Sequence, residues 1–183
     1  MIVQQTNLKG CYVIEPKMIL DQRGYFFESY NQIEFKKKTE RSFNVVQTNQ
    51  SKSNKGVLRG FHFQEGDKAQ AKLVRVLSGK VQDVCVDLRP KSKTFGQSFS
   101  IILDATENKQ LFIPRGFAHG FLVLENNTVF SYMCDNFYNR RAESGIAYND
   151  PELNINWLLD DKNLILSNKD KQLQTLSDFK SKL

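Results

Sequence analysis

Across residues 43–134 the chain is a succession of short β-forming runs broken by turn residues: 43–49, 57–64, 71–77, 80–89, 99–103, 110–113, 119–124 and 128–134. Short strands at this regular spacing signal an all-β sandwich or barrel. The dipeptides Ser78-Gly79 and Asn126-Asn127 read as tight hairpins. A short helix is expected near residues 31–38 and a weak one after Asp170. At 183 residues the chain suits one domain with a real core and is too short for two. The expected architecture is a single small jelly-roll over residues 1–183 with a few short peripheral helices.

Strand parity carries the reading further, because successive side chains point to opposite faces. Phe130, Tyr132 and Cys134 share one face of their strand, as do Lys72, Val74 and Val76 of another. Val84, Val86 and Leu88 alternate with Asp83, Cys85 and Asp87, so one face of that strand is expected to be wet or functional. Arg59 and His62 are three residues apart and would point to opposite faces of an ideal strand. If both serve one pocket, the strand is irregular between them, and Gly60 is the natural place for a bulge.

Apolar residues make up 40% of the chain and no stretch is long enough to span a bilayer. The first residues lack the basic-then-apolar order of a signal peptide. Cys11, Cys85 and Cys134 are far apart, in strand-like apolar settings and without Cys-x-x-Cys spacing, so they read as core residues of a reducing compartment. A cytoplasmic location is expected. The net charge of +6 favours an anionic partner. The run Lys36-Lys37-Lys38 with Arg41 reads as a solvated helix face rather than a nucleic-acid patch, since no arginine/aromatic stripe continues it. Scattered cations suit a small anion such as a nucleotide diphosphate.

The two histidines of the chain, His62 and His119, both sit in glycine- and aromatic-flanked segments. Histidine, with an ordinary pKa of about 6.5, takes and returns protons near neutrality. A lone histidine among aromatics is also, more often, a hydrogen-bonded core residue.

Four segments carry a resemblance: Gly-Val-Leu-Arg-Gly-Phe-His-Phe-Gln at 56–64, Lys-Leu-Val-Arg-Val-Leu-Ser-Gly-Lys-Val at 72–81, Asp-Val-Cys-Val-Asp-Leu-Arg at 83–89 and Ile-Pro-Arg-Gly-Phe-Ala-His-Gly-Phe at 113–121. With Tyr148-Asn-Asp-Pro151 and Leu166-Ser-Asn-Lys-Asp170, they resemble the dTDP-4-dehydrorhamnose 3,5-epimerases, in register from about Leu8 to Asp170. The resemblance implies a cupin-type jelly-roll, a homodimer, and a cofactor-free enzyme acting on a dTDP-4-keto-6-deoxyhexose, while the residues themselves lead to no expectation of a metal, a nucleic-acid partner or a membrane partner. It implies His62 as catalytic base, Asp170 as the acid partner of that base and Tyr132 as proton donor. It places substrate contacts at Arg23, Glu28, Gln47, Asn49, Arg59, Lys72, His119, Tyr138, Glu143 and Lys169. Phe61 stands where leucine is usual, and Leu158-Leu159 where proline is common.

The implied chemistry fits these residue types. A 4-keto group acidifies the hydrogens on carbons 3 and 5, and epimerisation then needs a base on one face, an acid on the other and a partner for the enolate oxygen. Lys72, with Arg59 nearby, suits the last role. On the residues alone other readings stand: Asp170 as a helix cap, Tyr132 as a core aromatic, Lys72 as a solvated strand end, Arg23 and Glu28 as parts of an ordinary hairpin, and His119 beside glycines that shape a turn. Three rival functions follow. A metal-dependent cupin needs a histidine cluster, usually with two histidines one residue apart, but residue 60 is glycine and residue 64 glutamine. A non-catalytic sugar-nucleotide-binding module has no need of a base and an acid together. A single-site epimerase would use the same groups.

Overall fold

The computed structural model describes residues 1–183, and its strands sort into two stacked sheets and one detached hairpin. In chain order the strands are β1 (Ile2–Gln5), β2 (Tyr12–Glu15), β3 (Ile19–Asp21), β4 (Gly24–Phe26), β5 (Gln47–Ser53), β6 (Leu58–Gln64), β7 (Lys72–Ser78), β8 (Lys80–Asp87), β9 (Ser98–Asp104), β10 (Gln110–Ile113), β11 (Phe117–Val123), β12 (Thr128–Cys134) and β13 (Glu143–Gly145). The helices are α1 (Gln32–Thr39) and α2 (Leu176–Lys180). One sheet has six strands in the order β1-β2-β10-β7-β12-β5, the other five in the order β13-β6-β11-β8-β9, while β3 and β4 pair only with each other. From β5 to β12 only the β8–β9 link stays within one sheet. Every other connection crosses over, which makes the sandwich a jelly-roll of the cupin type.

This crossing corrects both expected hairpins. Ser78-Gly79 leads from β7 in one sheet to β8 in the other, and Asn126-Asn127 from β11 to β12 in the same manner. Both turns use left-handed backbone, with φ of +82° at Gly79 and +60° at Asn127. A side chain at Gly79 would put its Cβ 2.3 Å from Thr128 Oγ1, so the corner is closed to larger residues. The expected 43–49 strand begins only at Gln47. Phe43 instead packs its ring 5.3 Å from Phe112 and 5.9 Å from Phe35 of α1, on the outer face of the six-stranded sheet.

Three clusters cover both faces of both sheets. Val74, Val76, Leu111 and Phe130 from one sheet meet Val81, Cys85, Leu103, Phe121 and Val123 from the other in the central core. Burying each such side chain contributes roughly 1.5–3 kcal/mol. Phe61, Phe63, Val84 and Val86 pack outward against Leu176 and Phe179 of α2. Residues 81–87 are therefore all buried, so the face of β8 bearing Asp83, Cys85 and Asp87, expected to be wet or functional, is dry. Asn31 caps α1 by accepting from the Ile33 and Glu34 amides, and Lys36, Lys37 and Lys38 lie exposed in its last turn, where cations suit the helix dipole. No helix is long and apolar enough to cross a membrane.

Asp87, on the dry strand, ends β8 by gathering donors. Its carboxylate accepts from Arg89 Nε (2.8 Å) and Nη2 (2.6 Å), Ser92 Oγ (2.6 Å) and Thr94 Oγ1 (2.6 Å). Burial opposes its charge, but these bonds outweigh burial and bring its pKa from 3.8 to about 2. A carboxyl whose folded pKa is depressed stabilises the fold above its unfolded pKa and loses that contribution as pH falls through the folded one. Asp87→Asn is accordingly expected to cost about 1–2 kcal/mol at neutral pH, after allowance for the partial exposure of Arg89. The gap from wild type should close as pH falls from about 4 towards 2, which urea titrations at pH 7 and pH 3 would read.

Candidate active site

Between the sheets, at the end where β7 begins and β12 ends, lies a cleft of two lobes, about 280 and 300 Å³, that share His62, Lys72 and Tyr132. His62 comes from the five-stranded sheet, and Lys72 and Tyr132 from the six-stranded one, so the cleft has a histidine wall facing a tyrosine and lysine wall. Register sets both walls. Lys72 pairs with Cys134, Tyr132 with Asn49 and Cys134 with Gln47, which places Gln47, Asn49, Lys72 and Tyr132 on one inward face. Across the gap, His62 pairs with His119.

The irregularity expected at Gly60 is present. His119 pairs with His62 but Phe121 pairs with Arg59, so β6 carries one residue more than β11 across this step. Gly60 takes φ +117°, and a Cβ there would lie 2.6 Å from the Gly120 Cα. The Gly60–Phe61 peptide is cis. Through this bulge Arg59 and His62 line the same lobe, and Arg59 Nη2 donates to Ser53 Oγ at 3.1 Å.

Both histidines of the cleft are paired with an aspartate. His62 Nε2 meets Asp170 Oδ1 at 2.5 Å, and Ser167 Oγ donates to Asp170 Oδ2 at 2.8 Å. Burial opposes the charge of Asp170, but the bonds from His62 and Ser167 hold its carboxyl below the usual range. Asp170 therefore does not cap the last helix, a role filled by Thr175 with Asp178. With Nε2 engaged by Asp170, Nδ1 is the remaining free nitrogen of the His62 ring. In the second pair His119 Nε2 meets the fully buried Asp83 at 2.9 Å, and the His119 ring stacks on Phe130.

Tyr132 and Lys72 lack such partners. Burial raises the Tyr132 phenol above its ordinary value, so it holds its proton at neutrality. The Lys72 ammonium lies 5.8 Å from the centre of the Tyr132 ring, and burial pushes it towards the neutral form against the attraction of nearby anions. Glu143 at the mouth accepts from Tyr138 Oη (2.9 Å) and pairs with Lys169 (2.5 Å), while Gln47 Oε1 accepts from the Tyr138 amide at 2.9 Å.

The expected site residues thus converge, with two exceptions. Arg23 is 86% exposed at the tip of the β3–β4 hairpin, bound to Asp21, and Glu28 accepts from Asn31. Neither lines the cleft. Sequence reading missed three supports: Ser167 behind Asp170, Gln64, which holds the mouth loop through the Asn139 amide and the Phe137 carbonyl, and Asp83 behind His119. Only Asp83 left a signal, as a carboxylate alternating with valines. No three His, Cys, Asp or Glu side chains cluster as metal ligands.

Comparison with known proteins is consistent in sequence and in structure. The sequence model of one family, described as dTDP-4-dehydrorhamnose 3,5-epimerase, matches residues 5–178. The chain is 44% identical over 179 residues to the dTDP-4-dehydrorhamnose 3,5-epimerase of Escherichia coli K12, covering 98% of this chain and 96% of that protein. The crystal structure of the enzyme of that name from Elizabethkingia anophelis superposes with a TM-score of 0.95 at 49% identity, over 97% of each chain. A dTDP-6-deoxy-D-glucose-3,5-epimerase of Legionella pneumophila, solved with dTDP-4-keto-L-rhamnose, superposes with a TM-score of 0.92 at 41% identity, over 96% of this chain and 93% of that one.

The two histidines should differ in reactivity. The His62 side chain is 27% exposed and that of His119 6%. Diethyl pyrocarbonate is expected to modify His62 several times faster than His119, as followed by peptide mass spectrometry.

Proposed function

Since this chain belongs to the dTDP-4-dehydrorhamnose 3,5-epimerase family, we propose that it inverts carbons 3 and 5 of dTDP-4-keto-6-deoxyglucose to give dTDP-4-keto-L-rhamnose, with His62 as base and Tyr132 as acid. The protein is an epimerase, an isomerase of carbohydrates. One observation carries the assignment of roles: the His62–Asp170 pair stands on one wall of the cleft and Tyr132, with its proton retained, on the other.

The steps balance without a coenzyme or metal. His62 Nδ1 removes the hydrogen from a carbon beside the 4-keto group, and the C–H electron pair becomes a C=C bond as the carbonyl becomes an enolate. Asp170, bound to Nε2, fixes the ring's tautomer and stabilises the imidazolium that forms. The Lys72 ammonium meets the enolate oxygen, an interaction worth roughly 3 kcal/mol for a well-placed donor. Tyr132 then delivers its proton from the opposite face, the carbonyl returns, and solvent restores both residues before the second carbon reacts. Gln47, Asn49, Arg59, His119, Tyr138, Glu143 and Lys169 bind the rest of the nucleotide sugar.

The working unit is a homodimer of one jelly-roll domain per chain. The β3–β4 hairpin exposes Ile19, Leu20, Tyr25 and Phe26, each more than half accessible, on an element that no sheet of its own chain covers. Arg23 and Glu28 lie on and just beyond this hairpin, away from their own chain's cleft, as expected of residues that reach a second subunit. Three buried thiols without a disulfide, two of them, Cys11 and Cys85, with their sulfurs 3.7 Å apart, suit a cytoplasmic enzyme.

Incubation with dTDP-4-keto-6-deoxyglucose in heavy water tests the reading. Deuterium is expected at carbons 3 and 5, by mass and NMR, and is expected to vanish in His62→Ala. Exchange at one carbon alone would identify a single-site epimerase, and none would leave a different substrate or a binding protein. Tyr132→Phe is expected to keep exchange on the face His62 serves while inversion falls about 10²–10⁴-fold.

A further inference from the structure

Between β12 and β13 the chain passes the mouth of the cleft in residues 135–142, which form neither helix nor strand. From 136 to 141 its backbone makes one backbone–backbone hydrogen bond, from the Ala142 amide to the Asn139 carbonyl, and that bond stays within the loop. Side-chain amides hold the loop to the rest of the domain instead. Gln70 Nε2 donates to the Asn136 carbonyl at 2.8 Å, and Gln47 Oε1 accepts from the Tyr138 amide at 2.9 Å. Gln64 grips the residues on both sides of Tyr138. Its Nε2 donates to the Phe137 carbonyl at 3.1 Å and to the Lys68 carbonyl at 2.7 Å, and its Oε1 accepts from the Asn139 amide at 2.5 Å. Gln64 is 6% exposed, ends β6 two residues beyond His62, and lines the same lobe as His62, Tyr138 and Glu143.

We propose that Gln64 is a positioning residue for substrate binding: its amide, anchored on the strand that carries the base, brackets Tyr138 and fixes it, with the Glu143 it bonds, relative to His62. This rests on the epimerase reading above, in which Tyr138 and Glu143 bind the nucleotide sugar away from the reacting carbons. The chemistry of the clamp calls for a carboxamide. Two carbonyls and one N–H need two donors and one acceptor from a single planar group, whereas an ionised glutamate has no donor and methionine has no strong donor or acceptor. Tyr138 is 53% exposed and its side chain makes one hydrogen bond, to Glu143 Oε2, so its place depends on the backbone on either side. A loop freed from the clamp would have to be ordered by the substrate, at a cost in affinity. His62 takes its orientation from Asp170 and not from the loop, so the chemical step is independent of the clamp.

The test is a double-mutant cycle. kcat and KM are measured on dTDP-4-keto-6-deoxyglucose for wild type, Gln64→Met, Gln64→Glu, Tyr138→Ala and the double variant Gln64→Met/Tyr138→Ala, with thermal unfolding of each. Both Gln64 variants are expected to raise KM about tenfold while kcat stays within about twofold of wild type, the pattern of lost binding without lost chemistry. A substitution that merely loosens the fold has its effect whether or not Tyr138 is present, whereas one that acts through Tyr138 does not. KM of the double variant is therefore expected to match that of Tyr138→Ala within about twofold. A double variant whose rise in KM is the product of the two single rises overturns the proposal. So does a wild-type KM in the Gln64 variants or in Tyr138→Ala, or a fall in kcat as large as the rise in KM. If Gln64→Met does not fold, Gln64→Glu takes its place in the cycle. A wild-type protein that does not invert the sugar removes the parent reading and this one together. A wild type that does, beside Gln64 variants indistinguishable from it, removes this one only.

Discussion

The close approach of β6 and β11 at Gly60 and Gly120 is the constraint on which the cleft depends. A Cβ on Gly60 would sit 2.6 Å from the Gly120 Cα and from the His119 carbonyl oxygen, inside any tolerable contact, and its φ of +117° is open to glycine alone. Because the two backbones touch there, β6 accommodates one extra residue, and the bulge turns Arg59 to the same side as His62. The same step leaves His62 and His119 directly opposite one another, each within reach of a carboxylate from a different part of the chain. Without the bulge, a guanidinium and a base three residues apart would face opposite sides of the sheet, and the cleft would lose one or the other.

How far the sequence revealed this depended on the range of each interaction. The conflict of parity between Arg59 and His62 is local, and it pointed to Gly60 before any coordinates. The strand segments 110–113 and 128–134 are also local patterns and match β10 and β12 residue for residue. The turns at Ser78-Gly79 and Asn126-Asn127 were legible as turns but not as corners. A turn's residues report its backbone conformation, whereas which sheet the next strand enters is decided by partners such as Thr128, far along the chain. Strands β1 to β4 and β13 are three or four residues long and carry polar residues or glycine, too little for a periodic signal. Asp170 lies 108 residues from His62, and composition alone could equally have made it a cap. Only the resemblance of whole motifs joined the two.

The dry face of β8 shows how a correct pattern leads to a wrong environment. Alternating Asp and Val ordinarily marks a strand with one solvated side. Here both sides are covered, and the carboxylates of Asp83 and Asp87 are retained because each holds a specific donor, His119 in one case and Arg89 with two hydroxyls in the other. Buried charge of this kind is unfavourable unless it is paired. Asp87 satisfies that condition in full as part of the scaffold, whereas Asp83 satisfies it only in part, through one oxygen on His119.

The same distinction gives the cleft a direction. On the histidine wall one ring nitrogen of His62 is held by Asp170, which fixes the orientation of the ring. On the opposite wall the Tyr132 hydroxyl has no carboxylate beside it and is held neutral by burial, so it gives up its proton only to a stronger base than water. In the proposed reaction the enolate formed between the walls is such a base, and the Lys72 ammonium stands 5.8 Å from the centre of the Tyr132 ring. A ring whose hydrogen leaves towards one sheet and whose replacement arrives from the other has been inverted at that carbon. Jelly-roll topology supplies this arrangement directly, because its crossing connections bring strands from two separate sheets to face each other across a single narrow cleft.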